Sequence, residues 1–248
     1  MQSSLYYIAL YTHIIIGAVA LVAFWLPLLA KKGSVLHKKS GRWFVNAMYT
    51  VAISGFIMTS LVLLDPIAVR YADALPPADK IESIIRQQRI FAGFLLMLSW
   101  LVFTNVRQSL LVLEAKSDRS ILRKPAHVLT VFSLGCLGVI MLTIGMQQQI
   151  MLFKIFSVLC IVISFGSLHY IFKRKLKSRE WIMAHMGNII GAGIGTYTAF
   201  FAFGGKALFS EILTGGWQIL PWILPSLIGI AYNVYSNKGY RQQFKVGS

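Results

Sequence analysis

Seven stretches of this chain are each apolar over about the length needed to cross a bilayer: 7–30, 43–64, 88–112, 126–146, 150–172, 186–204 and 216–236. A hydrocarbon core about 30 Å thick takes about 20 mostly apolar residues per helical span. Within lipid every backbone polar group must be satisfied internally, so long apolar segments of this kind are expected to be helices. The expected fold is therefore all-α: a polytopic membrane bundle of seven transmembrane helices forming one domain over residues 1–248. Composition agrees, because only 13% of residues are charged, whereas soluble domains carry about 25%. The mean hydropathy of +0.67 is too apolar for a soluble core of this size.

The bases set the orientation. Residues 31–42, 107–124 and 173–179 hold five Lys or Arg each, and the C-terminal tail adds Lys238, Arg241 and Lys245. These connections alternate with poorer ones, which share Arg70, Lys80, Arg86, Arg89, Lys154 and Lys206. Eighteen bases against six is a strong positive-inside asymmetry. It predicts the first, third and fifth connections and the C-terminus in the cytoplasm, and the N-terminus outside. The net charge of +16 is thus a topology signal. Its short basic runs between apolar stretches exclude a nucleic-acid-binding domain and predict contact with anionic lipids at the cytoplasmic face.

The opening MQSSLYYIALYTHIIIG lacks a basic leader and a small-residue cleavage site, so it reads as a retained helix rather than a signal peptide. The second connection, 65–87, holds Pro66, Pro76 and Pro77 and reads as an outer cover with a short amphipathic helix at 78–88. Cys136 and Cys160 fall inside apolar stretches and read as buried, inert thiols.

All eight acids (Asp65, Asp73, Asp79, Glu82, Glu114, Asp118, Glu180 and Glu211) fall in connections or at span ends. Ionisable groups at membrane depth mark proton and ion paths, so their absence there counts against a carboxylate proton relay. In the sixth span Gly187, Gly191 and Gly195 recur every four residues and predict close helix packing. Polar stripes run along Asn46, Thr50 and Ser54 in the second span and His185, Asn188 and Thr196 in the sixth. They predict interhelical hydrogen bonds or, more sharply, a lined cavity.

His127, His169 and His185 are expected near the cytoplasmic face, with His37 in the first cytoplasmic loop; His13 lies toward the outer side of the first span. The short fifth connection makes the fifth and sixth spans expected neighbours. Neutral imidazole is a common metal ligand, and histidines on facing helices hold zinc or haem iron. His37, His127, His169 and His185 are accordingly candidate ligands for haem b or a divalent metal, against a plainer role as interfacial polar residues.

HIIIGAVAL (13–21) with LHKKSGRWFVNAMY (36–49), and REWIMAHMGNIIGAGIGTYTAFF (179–201), carry a family likeness. They resemble a bacterial family of multipass membrane proteins, domain of unknown function 2306, with matching positions His13, His37, Gly41, Arg42, Trp181 and His185. The resemblance implies a multipass fold in a bacterial inner membrane. It singles out His37, Arg42 and His185 without bringing an activity.

Three functions compete. The first is a membrane redox or metal protein, with Arg42 and the basic loops holding an anionic substrate or haem propionates. The second is a transporter, channel or lipid- or small-molecule-binding protein, with a cavity lined by Asn46, Thr50, Asn188 and Thr196. The third is a membrane-embedded metal-dependent hydrolase similar in outline to seven-span ceramidase-like enzymes; the lack of an intramembrane acid and the opposite orientation count against it.

Overall fold

A computed structural model describes residues 2–72, 74–204 and 213–247. Asp73, Lys206 and Glu211, named above among the charges, lie outside these described residues. The described residues are helical, with no strand. The long helices are α1 (Gln2–Leu29) and α2 (Val35–Leu64), then, after the short α3 (Pro66–Arg70), α4 (Ile81–Ala115). They continue with α5 (Pro125–Gln147), α6 (Met151–Phe172), α7 (Glu180–Ala199) and α8 (Leu220–Gln243). Among the described residues, six helical segments are long and apolar enough to cross a membrane: α1, α2, α4, α5, α6 and α8 with their flanking turns. This makes the chain a helical integral membrane protein. α7, at 20 residues, holds four glycines between Gly187 and Gly195 and falls outside those six.

Local chemistry sets the helix ends. Ser34 caps α2 by accepting the His37 N–H at 3.2 Å. Asp65 caps α3 through Ala68 N, and Pro66 and Pro125 open α3 and α5, where a missing N–H costs nothing. Residues 78–88 form no separate helix: a 3₁₀ turn at Ala78–Lys80 runs into α4, whose first turns replace the expected amphipathic piece. The short helix of this connection is α3 instead.

α4 is the hub. α1 packs on α2, α2 on α4 and α4 on α7, and α7 closes back on α1, giving a ring of four helices. α5 and α6 form a tight pair against another face of α4, and α8 packs on α7. α6 and α7 therefore do not pack along their lengths despite their short connection, because α4 binds one by each face; the expected neighbourhood is corrected. What joins them is an ion pair at their ends, Lys173 Nζ to Glu180 Oε1 at 2.7 Å. Burial alone would raise the Glu180 carboxyl, but bonds from Lys173 and the Lys177 N–H, with both lysine charges, hold it below its ordinary range.

The α5–α6 seam is closed by glycine. A Cβ on Gly138 would meet Ile161 Cγ1 at 2.9 Å, the Ser157 carbonyl at 3.0 Å and Cys160 Cβ at 3.3 Å. The core there continues through Phe94 and Phe153, stacked at 4.4 Å. Cys160 is buried in it, while Cys136 is exposed on the outer surface of α5, which corrects its expected burial.

The basic connections gather at one end. Lys32 lies over the Tyr240 ring, Arg179 donates to the Phe244 carbonyl at 3.1 Å, and Gly247 N–H donates to the Ser178 carbonyl at 3.0 Å. Arg119 donates to the Tyr170 carbonyl at 2.8 Å and Arg123 to that of Ile171 at 3.4 Å. The α1–α2, α4–α5 and α6–α7 connections and the C-terminal tail thus share what we call the basic end.

Candidate ligand-binding site at the basic end

α1 ends with unpaired carbonyls, as every helix does. Lys32 Nζ donates to the Pro27 and Leu28 carbonyls, and His37 Nδ1 donates to Pro27 O at 2.9 Å. These bonds fold α2 back on α1. Burial holds the Lys32 ammonium below the usual lysine range. On α7, His185 Nδ1 lies 2.7 Å from Ser109 Oγ and 3.3 Å from the Ser109 carbonyl. A carbonyl accepts only, so neutral His37 carries its proton on Nδ1, while His185 Nδ1 shares a hydrogen bond with the Ser109 hydroxyl in either tautomer; in both rings Nε2 is not spent on these bonds.

Between these groups the four-helix ring encloses a cavity of about 600 Å3. That lies within the roughly 300–1,000 Å3 of small-molecule sites. Its walls are almost wholly apolar: Phe24, Leu28, Phe44, Val45, Leu110, Leu113, Trp181, Ile182, Met186, Ile189 and Ile190. Its polar groups are Lys32, His37, Lys38, Arg42 and His185, and the tail residue Phe244 completes it. Among the described residues, no carboxylate lines it. Lys38 and Arg42 are exposed and make no ion pair among the described residues. An apolar chamber with unpaired cations at its mouth matches a ligand with an apolar body and an anionic end.

The other candidate residues fall elsewhere. His127 is buried between α5 and α4, with Nε2 on Gln108 Oε1 and Nδ1 unpartnered. His169 is exposed on α6. The structure thus brings His37 and His185 to one chamber and leaves His127 and His169 to the α5–α6 side of α4. Among the described residues, no three of His, Cys, Asp and Glu form a group that could hold a metal ion.

Asn46 is exposed, Thr50 donates to the Asn46 carbonyl, and Asn188 donates to the Ala184 carbonyl at 2.7 Å; none lines this cavity. Thr196, buried, donates to the Ala192 carbonyl at 3.0 Å and lines a second cavity toward the opposite end. Gly191 meets Asn105 Nδ2 and Gly195 meets Val102 Cγ2, each at 3.4 Å from an added Cβ, whereas Gly187 faces open space. The tightest glycine on α7 is Gly193, where an added Cβ would fall on the Phe24 ring.

Sequence reasoning missed Lys32, Phe24, Gln108, Ser109 and Gly193. For two of them a signal existed. Thr104 with Gln108, and Asn105 with Ser109, are polar pairs four apart within an apolar span, and all four side chains are buried. No family model, curated protein or solved structure matches the chain.

Proposed function

We propose that this chain is a seven-span protein of the bacterial inner membrane, with its basic end in the cytoplasm and its N-terminus outside, that binds an amphiphilic anion in the basic-end cavity. The topology is supported by the contact of the C-terminal tail with residues 178 and 179. α7 and α8 both lie between these points, so if α8 crosses, α7 crosses too. Eighteen of 24 bases then lie on the cytoplasmic side. The family resemblance supports the same membrane.

The observation behind the ligand class is the pairing of an apolar chamber with Lys38 and Arg42 unpaired at its mouth. A charge-assisted hydrogen bond contributes about 1.5–3 kcal/mol, and the chamber adds burial of an alkyl chain. A phosphate- or carboxylate-headed lipid satisfies both.

Calorimetric titration of the purified chain tests the reading with three probes: lysophosphatidylglycerol, chain-matched lysophosphatidylcholine and inorganic phosphate. The first should bind at least tenfold tighter than the other two, and Lys38→Gln/Arg42→Gln should remove that preference. Tight inorganic phosphate alone would make the site a free-anion site; equal binding of both lipids would sink the reading.

A second reading is carried by the two histidines. Each has Nδ1 anchored to an oxygen and Nε2 free, the arrangement found behind metal-bound imidazoles. It makes the basic-end cavity a haem or metal pocket, with Lys38 and Arg42 on the propionates of a haem. The surrounding positive charge opposes a bare divalent cation. A Soret band lost in His37→Ala and His185→Ala would favour haem over a lipid.

A further inference from the structure

The ring of α1, α2, α4 and α7 holds a second cavity, of about 470 Å3, toward the end opposite the basic one. It too is mainly apolar, with a cation, the exposed Arg70, among its lining residues. It also holds polar groups with spare bonding capacity. Thr198 is 3% exposed and its Oγ1 has no partner, and His13 spends one ring nitrogen on Ser54 at 3.0 Å. One ligand chemistry, an apolar body with an anionic end, fits both chambers.

The chambers are separated by little protein. On α1 the lining passes from Leu21 to Phe24, on α2 from Met48 to Val45, on α7 from Gly195 to Ile190, and on α4 from Val102 to Leu110. At 1.5 Å per residue these steps are roughly 5–12 Å, widest on α4. The barrier is the cluster of Phe24, Phe44, Met48, Val106 and Ala192. Phe24 seats its ring directly on Gly193, where any Cβ would collide. Just beyond, Trp25 donates to Tyr197 Oη, which donates to the Leu21 carbonyl at 2.9 Å, latching α7 to α1. The wall of the second chamber then widens into a π-helical turn at Phe200–Gly204, a conformation that recurs at functional sites.

We infer that the chain carries an amphiphilic anion between the two ends of the ring, with the Phe24 ring on Gly193 as the barrier. This rests on the ligand reading of the basic-end cavity. Two chambers of matching chemistry on shared walls, divided by the cluster in which Phe24 is seated on Gly193, form an interrupted path. A binding protein needs only one of them.

The test reconstitutes the full chain in phosphatidylcholine vesicles and follows a fluorescent lysophosphatidylglycerol by dithionite quenching. Transfer between leaflets should run at least tenfold above protein-free vesicles. Gly193→Ala, which unseats the ring, should raise it at least fivefold, and Phe24→Ala should do the same. Gly187→Ala, which meets nothing within 4 Å, should leave it within twofold. Calorimetric binding is measured on each variant. Binding without transfer overturns the carrier inference and leaves the ligand reading standing; loss of both removes the ligand reading beneath it. Transfer indifferent to both Gly193→Ala and Phe24→Ala overturns the barrier assignment.

Discussion

The α5–α6 pair and the ring of α1, α2, α4 and α7 are built from the same apolar residues and end up opposite in character. In the pair, Gly138 lets α5 press against the α6 backbone, and the seam is filled. In the ring the fit is uneven: Gly193 is filled by Phe24 and Gly55 by Ser99, but Gly17 meets only Val51 Cγ2 at 4.0 Å, Gly187 meets nothing, and two cavities remain. Lipid gives little hydrophobic drive for helix association, so packing and hydrogen bonds decide. A small residue makes a seam only where a facing group fills the notch, as the α6 backbone does at Gly138 and the Phe24 ring does at Gly193. Where nothing fills it, as at Gly17 and Gly187, room is left between the helices.

Substitutions in the two regions and at the ends that join them put that contrast to the test. Gly138→Val drives a branched side chain into the Ser157 carbonyl and Ile161 and should cost about 3 kcal/mol or more, by analogy with severe overpacking. A large drop in Tm in detergent checks this, and an unchanged Tm would mean the seam is not filled. A smaller effect is expected at the ends that join the two regions. The lowered Glu180 carboxyl stabilises the α6–α7 connection above the ordinary carboxylate value of 4.5, and this is lost as pH falls through its lower folded value. Amide protection factors at residues 173–180, taken relative to intrinsic exchange at each pH, should therefore fall below about pH 4.5, and Glu180→Gln should flatten that dependence. As a partly exposed pair it contributes at most about 1 kcal/mol. Smallest of all, Gly17→Ala in the ring should change stability by less than about 1 kcal/mol, in the stabilising direction expected of Gly→Ala in a helix; a loss as large as that of Gly138→Val would erase the contrast.

Helix existence was legible because it depends on runs of apolar residues, which the chain states directly. Cap residues such as Ser34 and Asp65 are local and equally readable. The site was legible in part. His37, Arg42 and His185 share a chamber because α2 and α7 both face the ring, but which face each helix presents depends on its partners. The regular spacing of Gly187, Gly191 and Gly195 drew attention from Gly193, whose role is set by a Phe 169 positions away. The expected gathering of His127 and His169 with the others assumed that α6 and α7 were neighbours; α4 stands between them, and this is set by packing that no single span encodes.

The most direct measurement is native mass spectrometry of the chain as purified, with no ligand added. The account predicts one retained amphiphilic anion per chain, identifiable after organic extraction and lost in Lys38→Gln/Arg42→Gln. An empty wild-type protein that also fails to take up lysophosphatidylglycerol, or a double variant that retains the same molecule, would contradict it.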